Sequence, residues 1–71
     1  MKEVKLINYV ENQILAEYNG YLILVLKLGE RLIKCLSSKN EHLLFCHEKE
    51  YKTNFKDKAL SKYIEYLDSI N

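Results

Sequence analysis

Residues Tyr21 to Leu28 read Tyr-Leu-Ile-Leu-Val-Leu-Lys-Leu, with Gly20 before them and Gly29 after them. The run has strand length and is almost wholly apolar. A segment of that length and composition suits a strand buried on both faces better than a helix. The rest of the chain then has to cover it. That requirement constrains the fold more than any other feature of the sequence.

The chain has 71 residues, which points to a single domain over 1–71. A domain this small buries a modest fraction of its surface, so a disulfide, a metal or a partner chain is a common supplement to its core. Hydrophobic residues make up 48% of the composition, enough for a core, and the 30% that are charged suit a solvated surface. The net charge of +1 is too balanced to imply a nucleic-acid partner by charge alone. No apolar run approaches a membrane span, and Met1-Lys2-Glu3-Val4-Lys5 has no signal-peptide core. A cytoplasmic protein in reducing conditions, with no membrane partner, is therefore expected. The two cysteines, Cys35 and Cys46, fit that compartment as small buried thiols.

Taken in order, residues 3–19 read as an amphipathic helix. Val4, Leu6, Ile7, Val10, Ile14, Leu15 and Tyr18 fall within half its circumference, although Glu3, Glu11 and Glu17 intrude on that arc. Asn19-Gly20 would end it. The competing reading is a strand over 14–18 with Asn19-Gly20 as a tight hairpin turn. Three strands follow, at 21–28, 31–37 and 42–48, the first pair joined by Gly29-Glu30. Residues 49–53 read as a polar link. A second helix spans 55–70, with Asn54 as N-cap and Phe55, Ala59, Leu60, Tyr63, Ile64, Tyr66, Leu67 and Ile70 on one face. The expected fold is α+β, ordered α-β-β-β-α, with a three-stranded antiparallel meander and two amphipathic helices.

The turns set the register, and the register sets the faces. A turn at Gly29-Glu30 places Leu24 opposite Cys35 and Leu26 opposite Ile33. A turn at Lys39-Asn40 places Cys35 opposite Leu44 and Ile33 opposite Cys46. The core face is then Leu22, Leu24, Leu26, Leu28, Ile33, Cys35, Leu44 and Cys46. The other face carries Tyr21, Ile23, Val25, Lys27, Leu32, Lys34, Leu36, Leu43, Phe45 and His47. That second face is too apolar for water. Its expected role is a protein interface built on Ile23, Val25, Leu32, Lys34, Leu36, Leu43 and Phe45, with homodimerisation as its use. One helix on each face of the sheet would bury the same residues and stays open as an alternative.

Motifs for chemistry are weak. Cys35, His42, Cys46 and His47 are metal-ligand types, but they lack paired-ligand spacing. Adjacent residues on a strand point to opposite faces, so Cys46 and His47 make no nucleophile and base pair. No glycine-rich phosphate loop is present. Neither catalysis, a cofactor nor a metal is expected.

Lys49, Lys52, Lys56, Lys58 and Lys62 run from the link into the last helix, with Tyr51 among them. A helix, three strands and a helix that begins with lysines is similar in element order to the double-stranded RNA-binding fold, which grips phosphates with such lysines. The resemblance implies nucleic-acid binding through those six residues. The segment here reads Lys56-Asp57-Lys58-Ala59, so Asp57 interrupts the family's lysine run. The leading expectation is a non-enzymatic, regulatory or inhibitory protein-interaction module. The abundance of Lys, Asn, Ile and Tyr, as AT-rich coding gives, suits a virus or mobile element. Nucleic-acid binding is the alternative.

Overall fold

The computed structural model describes residues 3–39 and 47–70. Among these residues five strands precede one helix: β1 (Lys5–Val10), β2 (Gln13–Tyr18), β3 (Tyr21–Gly29), β4 (Leu32–Lys39), β5 (His47–Tyr51) and α1 (Lys56–Ile70). The strands form one antiparallel meander in the order β1-β2-β3-β4-β5. The helix crosses one face of it.

The expected N-terminal helix is a β-hairpin instead, so the sheet has five strands and not three. The cause lies at Asn19-Gly20, where both residues take positive φ, 49° and 84°. This is the conformation of a two-residue hairpin turn whose twist matches its flanking strands, and Asn-Gly adopts it readily. Tyr18 then opposes Tyr21, Ala16 opposes Ile23 and Ile14 opposes Val25. The intruding glutamates are accounted for as well. Glu11 sits in the β1–β2 turn and Glu17 points away from the helix. In strand form Ile14, Ala16 and Tyr18 are buried while Leu15 and Glu17 alternate with them.

The register of β3 against β4 is one residue off the expected one. The turn is at Glu30-Arg31, Gly29 opposes Leu32 and Lys27 opposes Ile33, so Leu28 bulges out of the ladder. Val25 therefore opposes Cys35, and Leu24 opposes Leu36. A one-residue slip exchanges the faces of a strand. Leu22, Leu24 and Leu26, expected in the core, lie on the face without the helix. The last strand runs further along the chain than expected. It pairs Ile33 with Tyr51 and Cys35 with Lys49, replacing the expected partners Cys46 and Leu44, both of which fall outside the described residues. The residues read as a polar link, Lys49 to Tyr51, are ladder residues.

The helix matches its periodicity closely. Ala59, Leu60, Tyr63 and Leu67 are buried, and Ile64 and Tyr66 pack at the margin. Phe55, expected on that face, is 67% exposed. Its carbonyl accepts the first helical bond, from Ala59 N–H at 3.1 Å, and its own N–H donates to Thr53 Oγ1 at 3.2 Å. Phe55 thus stands at the cap position expected of Asn54. Beneath the helix lie Ile14, Ala16, Tyr18, Tyr21, Ile23, Val25, Ile33 and Cys35, each nearly or fully buried.

Polar contacts moor the helix at both ends. At its start, Tyr9 Oη donates to Asp57 at 3.1 Å and Lys56 Nζ donates to the Glu11 carbonyl at 2.7 Å. Near its end, Tyr18 Oη shares its hydroxyl between the two Asp68 oxygens at 2.9 and 3.0 Å. In the middle, Ser37 Oγ and Tyr63 Oη lie 2.7 Å apart, fully enclosed. These pairs tie the helix to β1, the β1–β2 turn, β2 and β4.

Candidate interaction surface

The face opposite the helix is a leucine surface. Its central row runs Asn8, Leu15, Leu24, Leu36, Glu48 across all five strands. On one side lies the row Val10, Gln13, Leu26, Lys34, Glu50, and on the other Lys5, Glu17, Leu22, Ser38. Leu15, Leu22, Leu24, Leu26 and Leu36 are only half-buried, and no described element packs over them. Leu32 joins the face by alternation with Lys34 and Leu36.

The rim is charged and balanced. Lys34 Nζ lies 3.1 Å from Glu48 Oε2, and Lys5 stands opposite Glu17 in the ladder. An apolar centre inside a polar rim is the usual anatomy of a protein interface. No family model, no curated protein and no solved structure matches this chain.

Of the interface residues expected from sequence, Leu32, Lys34 and Leu36 belong to this face. Ile23 and Val25 do not; they are fully buried beneath the helix, because the register differs by one. Leu43 and Phe45 lie outside the described residues. Leu15, Leu22, Leu24 and Leu26 were missed as surface residues. The signal that could have found them is Glu17. Reading Asn19-Gly20 as a hairpin turn puts Glu17 opposite Leu22 and marks that side as the one facing water.

The lysines expected to hold nucleic acid are spread over several environments. Lys49 Nζ sits 4.5 Å from the centroid of the Tyr66 ring. Lys56 Nζ is 4.7 Å from that of Tyr9 while it donates to the Glu11 carbonyl. Both cations are engaged by tyrosine faces within the chain. Lys52 follows β5, and Lys58 and Lys62 are exposed on the helix. Tyr51 is not offered to a base. Its ring packs at the core margin, and its enclosed hydroxyl has no partner among the described residues. Burial pushes that phenol up to about 12.

Two of the residues with metal-ligand character, Cys35 and His47, are described. Cys35 is fully buried under the helix, and its thiol donates weakly to the Ala59 carbonyl at 3.9 Å. Burial pushes it up to about 12, so it stays protonated at neutral pH and is a poor nucleophile. His47 sits on the helix side and not on the leucine side. Its ring packs edge-on between Tyr21 at 6.0 Å and Tyr66 at 6.4 Å. Among the described residues no group of three His, Cys, Asp or Glu converges as a metal site, and no helix is long and apolar enough to cross a membrane. His42 and Cys46 fall outside those residues.

Proposed function

We propose that this chain is a non-enzymatic protein-interaction module, regulatory or inhibitory in role, whose working surface is the leucine face. A second copy of the chain is the partner that suits it. The observation behind this is the contiguous block Leu15, Leu22, Leu24, Leu26 and Leu36, partly exposed within a rim of mixed charge. A rim of paired opposite charges calls for no oppositely charged partner, so like can meet like.

The magnitude is modest. These leucines are already mostly buried, so completing the burial of each is worth roughly 0.5 kcal/mol and two facing copies gain on the order of 5 kcal/mol. Lost translational and rotational freedom removes roughly 4 kcal/mol or more. The balance is small, so association through this face is weak and shows only at high chain concentration. Sedimentation equilibrium up to several hundred micromolar is therefore the appropriate measurement. Leu24→Lys places a charge at the centre of the face and lowers the mass at every concentration where the parent exceeds one chain. A mass curve unchanged by Leu24→Lys would overturn self-association through this face. Charge reversal at Lys52, Lys58 and Lys62 leaves the curve unmoved.

A further inference from the structure

The two edges of the sheet are built differently. The β5 edge carries Glu48, Lys49 and Glu50 in succession, the charged pattern that keeps an edge strand from pairing. The β1 edge carries one charge, Lys5, in six residues, all exposed. Val4, Leu6, Ile7, Tyr9 and Val10 are five of the eight exposed large hydrophobics among the described residues. Among the described residues the most apolar exposed stretch is thus also a strand with one side unpaired.

The bulge in β1 gives this edge a further property. In a regular antiparallel strand paired with its own copy, residues that meet must lie on the same side of the sheet. The register that pairs all six residues of β1 sets Lys5 against Val10, Leu6 against Tyr9 and Ile7 against Asn8. In a strand with unbroken alternation, Lys5 and Val10 would lie on opposite sides and this pairing would fail. The bulge between Leu6 and Asn8 corrects the phase. Leu6 opposes Ala16 and Tyr9 opposes Ile14, so both lie on the helix side. Lys5 opposes Glu17 and Val10 opposes Gln13, so both lie on the leucine side. In this register no lysine faces a lysine.

We infer that β1 is a strand-pairing site for β1 of a second copy, antiparallel about a two-fold axis between Ile7 and Asn8. The product is a continuous ten-stranded sheet with both helices on one side and both leucine faces on the other. Leu6 of each copy meets Tyr9 of the other, and the main-chain groups that flank the bulge are satisfied while those at Ile7 and Asn8 stay outside the ladder. This contact is made by the main-chain edge of β1 and needs none of the five leucines.

The test therefore begins with the leucine face blocked. Leu24→Lys, checked for its fold by circular dichroism, is expected to sediment as two chains at several hundred micromolar. A single chain at that concentration overturns the edge pairing. Should Leu24→Lys fail to fold, the parent decides through cysteine trapping. Leu6→Cys and Tyr9→Cys chains, both also carrying Cys46→Ser, are mixed and oxidised. The edge pairing predicts the mixed disulfide in several-fold excess over either homodisulfide. A statistical mixture, or a homodisulfide in excess, overturns it. The two readings fail separately. Leu24→Lys with the parental mass removes the leucine face as a contact, whereas a monomeric Leu24→Lys chain removes β1.

Discussion

Ile23 and Leu24 are adjacent in sequence and lie on opposite faces of the same central strand, so truncating each in turn tests the assignment of the faces. Ile23 is fully buried, and its cross-strand neighbours are Ala16 and Ser37. Neither has a side chain long enough to swing into the space left by Ile23→Ala. The cavity therefore persists, and the cost falls in the upper part of the about 2–5 kcal/mol range for such truncations. The whole stability of a chain this length is roughly 4–10 kcal/mol, so Ile23→Ala removes a large share of it. Leu24 is half-buried between Leu15 and Leu36, both long enough to close over a gap. Leu24→Ala costs about 1 kcal/mol in the isolated chain. Urea unfolding followed by circular dichroism at low micromolar concentration reads the difference as a shift in midpoint at constant slope. Repeating it at several hundred micromolar separates the terms further. Association stabilises the folded chain by mass action, so the cost of Leu24→Ala grows with concentration while that of Ile23→Ala does not. A Leu24→Ala chain as destabilised as Ile23→Ala at low concentration would refute the assignment. It would place the leucines in the core, as the shifted register requires.

Tyr63→Phe leaves the Ser37 hydroxyl enclosed without its 2.7 Å partner and costs about 1–3 kcal/mol in urea unfolding; adding Ser37→Ala recovers part of that loss, and equal losses in the single and double variants would dismiss the pair. Gly20→Ala strains the turn at a φ of 84° and lowers the melting temperature by about 4–8 °C for each kcal/mol lost; an unchanged melting temperature would refute the turn assignment. Burial raises the Cys35 thiol from 9.0 to about 12 and the Tyr63 phenol from 10.0 to about 12. Each group keeps its proton longer when folded, so their contribution is complete below about pH 9 and is lost as pH rises through about 12. The urea midpoint should accordingly fall from pH 9 upward, and a flat midpoint across pH 9–11 would contradict the enclosed positions of these groups.

The C-terminal helix was legible almost to the residue, because fifteen residues with one apolar stripe leave little choice of period. The central strand was legible from its length and its almost unbroken apolar run between Gly20 and Gly29. The N-terminal hairpin was not, because Val4, Leu6, Ile7, Val10 and Ile14 satisfy helical spacing as well as they satisfy two strands. The Asn19-Gly20 turn decided between them, and it acts over two residues while periodicity averages over many. The leucine face was obscured by a single bulge at Leu28. In a run where every residue from Tyr21 to Leu26 is apolar, composition cannot tell Leu24 from Val25. Only register can, and one extra residue in one strand changes it. Leu32, Lys34 and Leu36 were placed on the uncovered face, since their alternation within β4 does not depend on that bulge. The lysines expected to act together were grouped by proximity in sequence, whereas the fold gives Lys49 to Tyr66 and Lys56 to Tyr9.

The meander has a consequence for synthesis on the ribosome. Each strand pairs with the one just made, across two-residue turns at 11–12, 19–20 and 30–31. Hairpins can therefore close in the order in which they emerge, with little loop entropy to overcome. None of them can cover itself. The layer that shields Ile14, Ile23, Val25 and Ile33 comes last, and its moorings span 48 residues from Tyr9 to Asp57 and 50 from Tyr18 to Asp68. Until residues 56–70 leave the exit tunnel, the face that carries Ile14, Ile23, Val25 and Ile33 lacks its helix. A premature stop before Lys56 would release a sheet with apolar residues on both faces, a species prone to aggregate.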